Sequence, residues 1–348
     1  MLFSLWPFRL KLFLQDILSF SAFFLLPRER RNCSFAADGI GFQMFSQPSA
    51  DRLQSVRLIS GNPWSHSMND ALVSCEWLQQ NPDASDRIIL DATYFLPRQQ
   101  RNAREQFEAA HIPGAQFFDI DEIAVSNSPL PHTLPDADQF AEQAGQLGID
   151  NDTWVIVYDN NHFFASARVW WMFRVFGHDK VKILNGGLNR WQQQGFPVTS
   201  DFNRPLPKRF NALFRPELFT DLEQMKLIQQ RGDKQILDAR SEDSFNGRRA
   251  IHDAGLLPGH IPGSINIPYR KLFATDDFTL VPDEHLRRIF SDAKVDFSKP
   301  IVASCGSGVS AALLLLALYR IGLTDIPMFD GSWAEWGRQA DLPRQPKL

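Results

Sequence analysis

Seven consecutive residues near the C-terminus, Ser304-Cys305-Gly306-Ser307-Gly308-Val309-Ser310, combine one thiol with two glycines and three hydroxyls. They follow the apolar run Ile301-Val302-Ala303 and precede a second one, Ala311 to Tyr319. A strand, a tight loop and a core helix are expected in that order. Small residues let the main-chain N–H groups of such a loop turn inward as an anion-binding nest, with the helix dipole behind it. Cys305 begins that nest. A free thiol has a pKa near 8.5, and lowering it by about two units takes roughly 2.7 kcal/mol of preferential thiolate stabilisation. Several N–H donors and a helix terminus are of that order. The pattern therefore points to a reactive thiol rather than a packed one.

The other two cysteines do not share this setting. Cys75 sits in the helix-like stretch Leu72 to Leu78 and reads as packing, and Cys33 lies in an atypical N-terminal segment. Three cysteines cannot build a disulfide framework or a four-thiolate zinc site. The histidines do not cluster at ligand spacing, so neither a metal nor a cofactor is expected.

The elements that must hold this loop are written twice. His111-Ile112-Pro113-Gly114 returns as His260-Ile261-Pro262-Gly263, and Asp91-Ala92 returns as Asp238-Ala239. Gly177, Gly186 and Trp191 return as Gly322, Gly331 and Trp336, each 145 residues later. That period is far too long for a solenoid and indicates a duplicated domain. In each copy short apolar runs end in a polar residue and alternate with helix-length patterns. They include Arg87 to Leu90, Trp154 to Tyr158 and Val181 to Leu184, then Gln235 to Leu237, Pro300 to Ala303 and Ile326 to Phe329. An α/β protein follows, with two tandem domains, each a mainly parallel sheet with helices on both faces. Ligands of such sheets bind at the carboxyl ends of the strands, just after Ala303 and Val157 here. The expected divisions are 1–67 as a leader, 68–200 as the first domain, 201–216 as a proline-bearing linker and 217–345 as the second domain. At the 145-residue spacing Cys305 is matched by Asn160, so the first copy lacks the thiol and its glycines.

Composition limits the function classes. With 348 residues, a net charge of −4 and 44% hydrophobic residues, the chain is a folded protein, not a nucleic-acid binder working by counterion release. The leader carries seven cations against four acids, and its best apolar run, Ile17 to Leu26, is too short to span a bilayer. Three readings of it stand: translated upstream sequence with the start at Met68, a cleaved targeting segment, or an amphipathic membrane contact. Stable membrane insertion is not expected. The location expected is cytoplasmic, or organellar if the leader is a targeting segment.

From about Met68 to Pro343 the chain resembles the tandem-domain rhodanese family, specifically its 3-mercaptopyruvate sulfurtransferase branch. The resemblance rests on the Cys305 loop, Arg168-Val169-Trp170-Trp171-Met172-Phe173-Arg174, Asn185-Gly186-Gly187-Leu188, both His-Ile-Pro-Gly turns and Asp330-Gly331-Ser332-Trp333. It implies that Cys305 takes sulfur from a small donor as a persulfide and passes it to a thiol, thioredoxin or cyanide. It also implies a proton relay of Ser307, His132 and Asp121, and donor contacts from Gly306, Gly308, Val309 and Ser310. His111 and His260 are then structural.

Two departures stand out. The loop ends in Ser310 where the branch has threonine, which keeps the hydroxyl. The positions of the branch's two carboxylate-binding arginines hold Ser244 and Asp253, leaving Arg248 and Arg249 as the nearby cations. Thiosulfate is the alternative donor, although Gly306 and Ser307 lack the positive charge usual after the cysteine in that branch. A sulfur-carrying or regulatory module without turnover is the non-enzymatic alternative. A phosphatase of related fold would need arginine at Ala311.

Overall fold

The structure, a computed structural model, describes residues 70–82, 85–125, 128–249 and 255–346. The leader with Cys33, the candidate start Met68 and Asp253 lie outside the described residues.

Among the described residues ten short strands form two five-stranded sheets, one in each copy. The first contains β1 (Leu72–Val73), β2 (Arg87–Asp91), β3 (Ala115–Phe117), β4 (Trp154–Tyr158) and β5 (Val181–Leu184). The second contains β6 (Phe219–Thr220), β7 (Gln235–Asp238), β8 (Ile265–Asn266), β9 (Ile301–Ser304) and β10 (Met328–Phe329). Their orders, β1-β5-β4-β2-β3 and β6-β10-β9-β7-β8, are the same order repeated. Every pairing within them is parallel. The central strands β4 and β9 are flanked by two neighbours each, and β9 is buried throughout, which is why they read as continuous apolar runs. The stretch from Leu72 is not one helix: β1 precedes Ser74, whose side chain caps the helix Cys75–Gln80 by accepting the Trp77 N–H.

The helices Ser166–Val175 and Ala311–Arg320 follow β4 and β9 and pack on each other where the copies meet. The first is buried along its whole length, and the second from Ala311 to Leu318. A helix covered by its own sheet on one side and by the other copy on the opposite side has no face for water, so both are mainly apolar, and the buried Arg168 and Arg174 of the first are held by partners. Trp170 meets Tyr319 edge-on at 5.3 Å, and the Arg174 guanidinium lies over both rings.

The His-Ile-Pro-Gly turns do the same structural work in each copy. His111 Nδ1 lies 2.7 Å from the Phe107 carbonyl and stacks on that ring, and His260 Nδ1 lies 2.8 Å from the Phe245 carbonyl and stacks likewise. Main-chain bridges join His111 to Thr199 and His260 to Gln345. The connecting segment after Thr199 runs without helix or strand to Pro216. It is tied to the first copy through Asn203, Lys208 and Asn211. Among the described residues no helix is long and apolar enough to cross a membrane.

Candidate active site

The last residue of β9, Ser304, pairs with Asp238 of β7, and Cys305 emerges at the carboxyl end of the sheet. The chain turns through Gly308, at φ +74°, into the helix Ala311–Arg320. No side chain caps that helix at Ser310. Among the described residues the amides of 306 to 310 donate to no protein acceptor, so the loop presents an open set of donors. Its carbonyls are occupied instead: Cys305 O accepts from Trp333 N and Gly306 O from Ala334 N. The Cys305 N–H donates to Ser332 Oγ at 3.0 Å, and the same oxygen is 3.9 Å from Sγ. Ser332 is fully buried at φ +50°, a conformation unfavourable for a residue with a β-carbon. Gly187 holds the corresponding place in the first copy at φ +57°, where a β-carbon would strike the Asp159 carbonyl. The side chain accepted at Ser332 is the one that reaches Cys305.

The first copy reveals what such a loop binds. Strand register pairs Asp91 with Tyr158 and Asp238 with Ser304, so the residue after each strand is Asp159 in one copy and Cys305 in the other. Equivalent hydrogen bonds, Leu188 N to Asp159 O and Trp333 N to Cys305 O, fix the same match. Asn160 is therefore not the counterpart of Cys305. Residues 160–165 form a loop one residue longer than 306–310, and a constant 145-residue spacing does not register the difference. The Asp159 carboxylate accepts from the amides of Asn161, Phe163, Ala165 and Ser166 at 2.8–3.1 Å. An anion of the chain itself fills the nest in the first copy, whereas in the second a thiol stands at its edge.

Cys305, Gly306, Ser307, Val309 and Ser310 line a cavity of about 260 Å³. Leu96 and Phe164 of the first copy and Pro268 and Tyr269 of the second give it apolar walls. Gly308 is not in the lining: its α-carbon faces the Asp330 carbonyl and the Arg168 guanidinium. Ser244 and Arg249 also line the cavity. Arg248 does not; its Nε and Nη2 both hold Asp243 Oδ1, at 3.0 and 2.9 Å, in solvent. Three further arginines, Arg98, Arg240 and Arg270, line the cavity, and no motif in the sequence marks Arg98 or Arg270. Arg240 is held by Asp238 through Nε and Nη2, the latter at 2.6 Å.

His132 and Asp121 come together, Nδ1 to Oδ1 at 2.7 Å, as a close contact not aligned as a hydrogen bond. Neither lines the cavity. The connection between them and the loop is Arg168, which is 1% exposed. It donates to the His132 carbonyl at 2.6 Å, the Gly308 carbonyl at 3.2 Å and Asp330 Oδ1 at 2.6 Å. Asp330 Oδ2 also accepts the Leu134 N–H. This buried ion pair couples the His132 segment of one copy to the Cys305 loop of the other. The arginine was visible in the sequence as a charge inside an apolar helix, but its purpose depends on Asp330, far along the chain. Cys75 behaves as packing: its Sγ contacts the Asn185 carbonyl, and burial pushes its thiol up to about 12.

The rhodanese-like domain matches twice, over residues 74–194 and 221–339. A 3-mercaptopyruvate sulfurtransferase of Homo sapiens is 42% identical over 276 residues, covering 78% of this chain and 93% of its own. "Thiosulfate/3-mercaptopyruvate sulfurtransferase 1, mitochondrial" of Arabidopsis thaliana is 41% identical over 298 residues, covering 80% and 78%. The crystal structure of SseA from Escherichia coli, a 3-mercaptopyruvate sulfotransferase, superposes with a TM-score of 0.70 at 38% identity. It covers 76% of this chain and all of that one.

Proposed function

The chain belongs to the rhodanese family of sulfurtransferases as a tandem of two such domains, and from that premise we propose that Cys305 carries sulfur from 3-mercaptopyruvate to a thiol. The Cys305 thiolate attacks the donor's sulfur, and an S–S bond forms as the donor's C–S bond breaks. The bonding pair leaves on carbon as the enolate of pyruvate, which takes a proton. A second thiolate, of a small thiol or of thioredoxin, or cyanide, then attacks the outer sulfur and restores the Cys305 thiolate. No metal or cofactor enters these steps.

The observation that carries this reading is the pair of nests. Asp159 draws four amides onto a carboxylate, and Cys305 stands at the matching place with the loop amides open. Those donors suit a thiolate and the negatively charged persulfide that follows it. Gly306, Val309 and Ser310 line the donor's cavity and Gly308 shapes the turn, with Arg249 at the rim for the donor's carboxylate. Ser307, within the cavity, would pass the proton, with the His132–Asp121 pair completing the relay as general acid and base. Replacing His132 by alanine should lower turnover by roughly a hundredfold with little change in stability.

Thiosulfate is the second donor to be tested, because a relative's name couples both. Side-by-side steady-state rates decide between them, and mercaptopyruvate is expected to give the higher kcat/KM. A persulfide that forms but supports no multiple turnover with any thiol would indicate a carrier instead. The reading places the enzyme in the cytoplasm, or in an organelle if residues 1–67 are a targeting segment. Recovery of peptides from residues 1–30 of the purified protein would eliminate a start at Met68.

A further inference from the structure

The cavity beside Cys305 is lined by arginines that meet no carboxylate among the described residues, one of them, Arg270, lying over the Tyr269 ring. Arg98 comes from the first copy, in the short turn Pro97–Gln99 after β2, and Arg270 from the second, in the turn Tyr269–Leu272 after β8. Both line the cavity with Arg249. Among the described residues none of these three arginines pairs with a carboxylate. By contrast Arg240, in the same lining, is consumed by Asp238, and Arg168 just beyond the lining by Asp330. Arg98 lies close enough to the other two to feel their charges. Partial burial comes first, and the Arg249 and Arg270 charges second, in lowering the pKa of Arg98. Like charges left facing each other in a partly apolar cavity repel, and an oxyanion entering between them relieves that repulsion while accepting their N–H donors.

We infer that Arg98 and Arg270 form a clamp across the junction of the two copies for the oxyanion end of the sulfur donor, so that the first copy contributes directly to donor recognition. The inference rests on the sulfur-transfer reading for the identity of the ligand, and on the cavity alone for its charge. A carboxylate and a thiosulfonate oxygen set offer the same chemistry, and Ser244, uncharged in the same lining, supplies no competing cation.

The test uses the full chain with Arg98→Gln, Arg270→Gln and the double substitution, and Arg288→Gln as a control. Arg288 is exposed on the helix Asp283–Asp292 and, among the described residues, pairs with Glu284 at 3.8 Å, outside the cavity lining. Each single change should raise KM for mercaptopyruvate and for thiosulfate roughly three- to tenfold, with kcat within twofold. The double change should raise it further and should flatten the rise of KM with ionic strength. A donor whose KM alone is unmoved does not use the clamp. A second readout needs no turnover: pyruvate and sulfite should each slow alkylation of Cys305 by iodoacetamide in the wild-type protein and not in the double variant. The clamp is refuted if the double variant keeps wild-type KM for both donors and full protection, or if neither anion protects the wild type. Absence of a persulfide on the wild type, with protection still lost in the double variant, would remove the sulfur-transfer reading and leave the clamp standing.

Discussion

The two loop glycines make opposite predictions under one perturbation, addition of a single methyl group. At Gly308 the backbone has φ +74°, and a β-carbon would lie 2.6 Å from the Asp330 carbonyl oxygen, 3.1 Å from Arg168 Nη1 and 3.2 Å from Asp330 Oδ1. The left-handed conformation costs an alanine about 1 kcal/mol, and forcing a methyl into packed surroundings costs about 1–3 kcal/mol more. Asp330 and Arg168 are a buried ion pair and cannot swing aside, so the loop must move and the hydrogen bond that Arg168 donates to the Gly308 carbonyl is lost. Gly308→Ala should therefore destabilise the fold by about 2–4 kcal/mol, a fall in Tm of several degrees. It should also slow sulfur uptake by at least tenfold, because the amide donors move with the loop. At Gly306 a β-carbon would meet nothing within 4 Å, so Gly306→Ala should keep the wild-type Tm. Its effect on donor KM should be small, since the added methyl displaces no neighbouring atom. Thermal unfolding and single-turnover persulfide formation measure both effects. Equal Tm and equal rates for Gly308→Ala and wild type would refute the reasoning, as would a Gly306→Ala protein as unstable as Gly308→Ala.

Other expectations concern buried titratable groups and the remaining thiol. Cys305→Ser should abolish turnover, whereas Cys75→Ala should leave it unchanged, because the Cys75 thiol is buried and pushed up to about 12; kinetics on the two variants check this. Burial lowers the pKa of His178 to about 4 from an ordinary 6.5, so its contribution is present above pH 6.5 and is lost as pH falls toward 4. Urea titrations across that interval should lose on the order of 3 kcal/mol, and His178→Phe should flatten the loss. Burial raises the pKa of Asp91 to about 6, against a hydrogen bond from Thr93 that opposes it. Its favourable term is complete below pH 3.8 and disappears as pH rises through 6. Asp91→Asn should therefore gain stability over wild type at pH 7.5, and the gain should vanish near pH 4.

The duplicated architecture was legible because each copy repeats the same landmarks, and apolar runs ending in a polar residue mark parallel strands. Cys305 was legible because a thiol followed by glycines at a strand-to-helix junction has a local physical meaning. The role of Asp159 was hidden by one extra loop residue: helix and turn landmarks kept their spacing, so counting matched the thiol to Asn160, and only strand pairing corrects it. Arg98 and Arg270 were invisible for a different reason, since a cation's value depends on which cavity its turn overhangs and whether a carboxylate lies within reach. Arg248 and Arg249 are adjacent in sequence, yet Asp243 claims one and the cavity the other. The pairing of His132 with Asp121 came from family resemblance, and no local pattern marks either residue.

The central claim is that the open amides after β9 hold Cys305 ready to accept sulfur, and intact mass followed by peptide mapping tests it most directly. After incubation with mercaptopyruvate and removal of excess donor, the protein should gain the mass of one sulfur atom, located on the peptide containing Cys305 and discharged by cyanide. An unchanged mass, or sulfur found on Cys75 instead, would contradict the account.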